Sequence, residues 1–159
     1  MGIRTVREMG VDEILRKMAK PVKEMTPRIM SLIGDMFDTM YAEGGVGLAA
    51  PQVGVLKRIF VADCGSEERE PYVFINPEIL EEEGSVTDNE GCLSVPGMHA
   101  PVPRPEKVKV RAQNENMEYF TLEAEGLLAR CICHENDHLN GILYVDRAVG
   151  PVEPNSPEE

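Results

Sequence analysis

Apolar residues early in the chain recur at steps of three and four. Ile29, Met30, Ile33, Met36, Phe37, Met40 and Tyr41 mark one face of a helix over about 27–43. Thr26-Pro27 suits an N-cap followed by a first-turn proline, and Gly44-Gly45 supplies a stop. The methionines on this face read as core packing, since a flexible thioether fills irregular gaps. From residue 58 onward the pattern changes. Residues 58–62, 72–76 and 107–111 predict strands, and Val108 and Val110 alternate with Lys107, Lys109 and Arg111 as in a sheet with one wet face. Residues 118–122 predict another strand, paired as a hairpin across the polar turn at 113–116. The run Glu81-Glu82-Glu83 reads as a solvated loop or edge.

A second helix is predicted over about 123–139. Leu127, Leu128, Cys131, Ile132 and Cys133 make it apolar over much of its circumference, which implies a buried position. Asn140-Gly141 ends it. Residues 148–159 hold Gly150, Pro151, Pro154, Pro157 and three glutamates, and a mobile acidic tail is expected there. Without an internal repeat or a long linker, residues 1–147 are expected to form one domain. The order helix, strands, helix predicts an α+β fold with mostly antiparallel sheets packed around the buried second helix.

Composition narrows the function classes. A chain of 159 residues with 42% hydrophobic residues has material for a proper core. Its 16 basic and 28 acidic residues give a net charge of −12, which argues against general nucleic-acid binding, a process driven by clustered Lys and Arg. No stretch approaches the ~20 apolar residues of a membrane helix. The opening residues reach Glu8 without the apolar run of a secretory signal, so residence in the cytoplasm is expected, with no membrane partner. In that setting Cys64, Cys92, Cys131 and Cys133 read as thiols or ligands rather than as a disulfide framework.

Inside the buried helix lies His134-Glu135-Asn136-Asp137-His138. Histidines at i and i+4 share a helix face and can reach one divalent metal, with Glu135 beside them to take a proton from water. A catalytic site normally needs a third protein ligand. Gly141 fits the extended metzincin register, but the third histidine of that pattern would fall at Tyr144. A glutamate from a later helix is equally unsuited to the short proline-rich remainder. The third ligand therefore comes from upstream, and Cys92, in Glu90-Gly91-Cys92-Leu93-Ser94, is the best candidate. Cys131 and Cys133 share the helix with the histidines without completing a tetrahedron, and Cys64 has no supporting polar residues. A third segment, Gly45-Val46-Gly47-Leu48-Ala49-Ala50-Pro51-Gln52, is neither a P-loop nor a dinucleotide fingerprint. It reads either as a tight turn entering the sheet or as backbone lining a narrow cleft, with the Gln52 amide available to a developing oxyanion.

These three segments, in this order, resemble the signature motifs GxGLAAxQ, EGCLS and HExDH of the peptide deformylase family. The likeness extends over about residues 4–147. It implies hydrolysis of the N-formyl group from the initiator methionine of newly synthesised polypeptides, with formate as product. It further implies Cys92, His134 and His138 as ligands to one Fe²⁺, a position that Zn²⁺, Ni²⁺ or Co²⁺ can also fill. Glu135 would be the general base, while Gln52 and the Leu93 N–H would hold the oxyanion. Val46, Leu127, Cys131 and the His134 ring would surround the methionine side chain. Backbone at Val46, Gly47 and Gly91 would pair with the peptide as an added strand. Partners would be N-formylmethionyl nascent peptides, with transient proximity to the ribosome. Cys133 stands where the family usually has Gln, and His99 where many members have Arg. Two rival readings are a structural metal module, which normally needs four protein ligands, and a general metallopeptidase resting on HExxH alone.

Overall fold

The computed structural model describes residues 2–155. The first helix, α1 (Pro27–Ala42), starts where predicted: the Thr26 hydroxyl accepts a hydrogen bond from the Ile29 N–H at 3.2 Å, with Pro27 in the first turn. Strand β1 (Gly47–Ala49) follows, then β2 (Ile59–Asp63) and the long β3 (Pro71–Glu83). A hairpin of β4 (Val86–Cys92) and β5 (Val95–Arg104) precedes β6 (Lys107–Gln113) and β7 (Tyr119–Glu125). The second helix, α2 (Gly126–Leu139), comes next, and a short β8 (Glu153–Pro154) ends the described residues.

Five strands form an antiparallel sheet in the order β1-β2-β3-β6-β7, while β4, β5 and β8 form a separate small sheet. The large sheet lies between the helices. Ile59 and Val61 of β2 pack with the apolar face of α1, whereas Phe60 and Ala62 pack with Ala129, Cys131 and Ile132 of α2. All five residues of β2 are buried, so the strand reads as a continuous apolar run rather than an alternation. On β6, by contrast, Val108, Val110 and Ala112 are buried while Lys107 and Arg111 are exposed. The fold is α+β, built around the helix that carries HENDH.

Two local expectations change. Glu81, Glu82 and Glu83 are exposed but lie within β3, where they pair with Lys109, Val108 and Lys107 of β6. Residues 123–125 belong to β7 rather than to the helix: Glu123 and Glu125 sit opposite Lys109 and Lys107, and this cross-strand charge pairing extends the strand. The helix then begins at Gly126, whose φ of 63° suits a glycine. The β4–β5 hairpin itself carries no clear sequence signal, because Pro96, Pro101 and Pro103 interrupt β5. The described part of residues 148–159 lies along β5. Val149 N–H donates to Pro101, Asn155 N–H to Gly97, and β8 pairs with Met98 and His99. Residues 156–159 of the expected mobile tail lie outside the described residues.

Candidate metal centre

His134 and His138 sit one turn apart on α2 with ring centroids 5.0 Å from each other, both buried. Opposite them the β4–β5 hairpin closes on the Cys92–Val95 pair, leaving Leu93 and Ser94 as its turn. That geometry brings Cys92 Sγ to 3.3 Å from His138 Nε2. The ligand atoms of Cys92, His134 and His138 all lie within 4.8 Å of one another. Around an ion with bonds of about 2.0–2.3 Å, tetrahedral neighbours are spaced roughly 3.3–3.8 Å apart, so the three donors fit one divalent ion. One thiolate and two imidazoles also match the preferences of iron, zinc, nickel and cobalt.

The imidazole of His134 is held from behind. Its Nδ1 lies 2.7 Å from Glu90 Oε1, which turns Nε2 toward the cluster. Glu90 in turn accepts two bonds from Arg104, at 2.8 and 3.0 Å, and one from Arg130 at 2.6 Å. Arg104 also donates to Asp137 at 2.7 Å, and Arg147 grips both Asp137 oxygens at 2.5 and 2.9 Å. Burial alone would raise the Glu90 carboxyl, but the bonds from His134 and Arg104 outweigh it and pull its pKa down to about 2. The charges are thus paired rather than stranded in the interior.

Glu135 has no such cations bonded to it. Burial, with help from Glu90 and Asp137, pushes its pKa up to about 7 against the opposing pull of His134 and Arg104. Its Oε1 is buried and has no hydrogen-bond partner among the described residues. Strand β1 presses directly against it. A Cβ built on Gly47 would lie 2.6 Å from Cys131 Sγ and 2.7 Å from Glu135 Oε2, so only glycine lets the strand approach this closely. Gln52 sits buried in the turn after β1. Ala49 N–H donates to its Oε1 at 3.0 Å, which fixes the amide with Nε2 at 3.1 Å from Ser94 Oγ and 3.5 Å from Cys92 Sγ.

A cavity of about 550 Å³ opens onto this cluster. Val46, Gly47, Gln52, Gly91, Cys92, Leu93, Leu127, Cys131, His134 and Glu135 all line it. His138, the remaining residue singled out from the sequence, is 1% exposed behind the wall. Val46 and Leu127 expose apolar surface, at 42% and 54%. Strands β1 and β4 each lie at the end of their sheet's strand order.

The arginines were not legible from the sequence. Glu90 and Asp137 stand inside the motifs, and a carboxylate in an apolar helix demands a cation, but nothing in the spacing identifies Arg104, Arg130 or Arg147 as its source. Tyr144, at the third-histidine register, does reach the centre: its ring stacks on His134 at 6.3 Å between centroids. Burial pushes its phenol up to about 12. Cys133 faces the core, its thiol likewise pushed up to about 12 by burial. His99 Nδ1 lies 2.9 Å from Asn155 Oδ1 where β5 meets β8.

The model of the polypeptide deformylase family matches residues 3–153. The peptide deformylase of Lachnoclostridium phytofermentans is 56% identical over 152 residues, covering 96% of this chain and 93% of that protein. That of Clostridium botulinum is 55% identical over 147 residues, covering 92% and 97%. Among solved structures, a peptide deformylase from Legionella pneumophila superposes with a TM-score of 0.89 at 48% identity, covering 94% of this chain and 87% of that one. Peptide deformylase from Thermotoga maritima gives 0.89 at 44% identity, covering 94% and 100%. The chain belongs to the polypeptide deformylase family, and its function is peptide deformylation by metal-dependent hydrolysis.

Proposed function

We propose that this chain removes the formyl group from the N-terminal methionine of newly synthesised polypeptides, with Cys92, His134 and His138 holding one Fe²⁺. The observation that carries the reading is the convergence of these donors, with Cys92 Sγ 3.3 Å from His138 Nε2, on a cavity that Glu135 also lines. When bound, a divalent cation supplies Lewis acidity, polarising a carbonyl and lowering the pKa of water. Glu135, with its free buried oxygen, takes the proton of the attacking water and delivers it to the leaving amine. The Gln52 amide, oriented by Ala49, and the Leu93 N–H in the hairpin turn hold the oxygen of the tetrahedral intermediate. Val46, Leu127, Cys131 and the His134 ring take the methionine side chain. The exposed margins of β1 and β4 receive the peptide backbone at Val46, Gly47 and Gly91, as a strand added between the two sheets.

The donor set serves Zn²⁺, Ni²⁺ and Co²⁺ as well, and Fe²⁺ is the choice that the family resemblance favours. We place the catalytic unit in residues 1–147, with 148–159 as an appended segment. We place its work in the cytoplasm, in transient proximity to the ribosome. No described helix is long and apolar enough to cross a membrane. The test is formate release from formyl-Met peptides by protein loaded with Fe²⁺ or Ni²⁺ without oxygen, alongside metal analysis. Formate at one equivalent per peptide is expected. Intact formylated peptide in the presence of bound metal would overturn the reading, and cleavage of internal bonds in unformylated peptides would favour a general metallopeptidase.

A further inference from the structure

The donors come from two elements distant in sequence: Cys92 from the β4–β5 hairpin, His134 and His138 from α2. The hairpin belongs to the small sheet, which shares no strand pairing with the large one among the described residues. Side chains must therefore hold hairpin and helix in register. Arg130 lies four residues before His134 and hence on the same face of α2. Its Nη1 donates to Glu90 Oε2 at 2.6 Å and to the Val102 carbonyl at 3.0 Å, and Nη2 donates to the Val86 carbonyl at 2.8 Å. Val86 and Glu90 belong to β4 and Val102 to β5, so one guanidinium from the helix spans both strands of the hairpin. The carboxylate it grips also takes His134 Nδ1 and stands two residues before Cys92. The Arg130 side chain is 13% exposed and that of Glu90 6%, an environment in which charge-assisted bonds are strong. Arg104 supplies the reciprocal link, from β5 to Asp137 further along α2.

We propose that Arg130 is a positioning residue for the metal centre, fastening the Cys92-bearing hairpin to α2 and seating Glu90 behind His134 so that thiolate and imidazoles are assembled before the ion arrives. The planar fork is essential to this role. A lysine ammonium at the same place could reach Glu90 but lacks the rigid spread of donors that meets Val86 and Val102 together. Outer partners of metal ligands typically change affinity by about 10–100-fold, and this is the scale expected here.

The inference rests on the metal site of the proposed function and is tested by metal retention. Wild type, Arg130→Met and Arg130→Lys are loaded with Co²⁺, whose thiolate absorption band reports Cys92 coordination, and are then mixed with excess chelator. Loss of the band about 10–100-fold faster in Arg130→Met, with Arg130→Lys between it and wild type, is expected. The difference in Tm with and without Co²⁺ should also narrow. Unchanged release, with both Tm values falling equally, would overturn the proposal and leave Arg130 with a general role in stability. If Arg130→Met does not fold, Arg130→Lys decides by the same two readouts. Formate release by the wild type in the same preparation tests deformylation separately.

Discussion

Gly47 has no room for even a methyl group, because Cys131 and the carboxylate of Glu135 occupy the space a Cβ would take. Gly47→Ala should therefore displace Glu135 while the ligands stay in place. We expect kcat/KM to fall by about 10²-fold, the scale of an ångström-sized misplacement, with metal content unchanged by elemental analysis. Glu135→Gln keeps the shape and removes the proposed proton acceptor. Turnover should drop by about 10²–10⁴-fold with the cobalt spectrum retained, and a variant as active as wild type would exclude Glu135 from proton transfer. At this scale the sequence was highly legible. The i, i+4 histidines announce a shared ligand, and the requirement for a third donor from upstream leads to Cys92. The support beneath them was hidden, because Arg104, Arg130 and Arg147 reach Glu90 and Asp137 only through the tertiary fold.

Among the elements, β2 and α1 were legible and the β4–β5 hairpin was not. A strand buried on both faces is a bare apolar run, and a capped helix declares its start. A strand broken by three prolines has neither signal, yet it carries the turn that presents Cys92. What joins this hairpin to α2 is mainly electrostatic, so the junction responds to acid. Glu90 has a pKa of about 2 in the folded chain against an ordinary 4.5. Its contribution, up to about 3 kcal/mol, is complete above pH 4.5 and is lost as pH falls toward 2. Glu135 acts with the opposite sign: its pKa is raised to about 7, so it weakens the fold as pH rises from 4.5 through 7. Glu90→Gln should flatten the acid limb of the stability curve, measured as urea midpoints between pH 2 and 5. An unchanged acid limb would show that the Glu90 contacts contribute little.

At the scale of the whole molecule, closure of the centre and closure of the fold are linked. An ion held by Cys92, His134 and His138 would join a hairpin from one sheet to a helix packed on the other, so it should bind the native state and not the unfolded chain. Stripping the metal with chelator should lower Tm, and adding Ni²⁺ should restore it. At 100 times Kd the linkage is worth about 2.7 kcal/mol. Identical melting curves with and without metal would mean that the two elements hold together unaided. Composition could not reveal that the proline-rich end turns back along β5.

The margins of β1 and β4 that carry no strand pairing among the described residues border the same cavity, and this bears on timing. On the proposed strand addition, a client would have to offer a free, extended beginning to complete the ladder, and a chain whose first residues have already been woven into its own structure has none to give. On that reading the enzyme would sense whether a polypeptide has just started life, largely regardless of which letters follow the first.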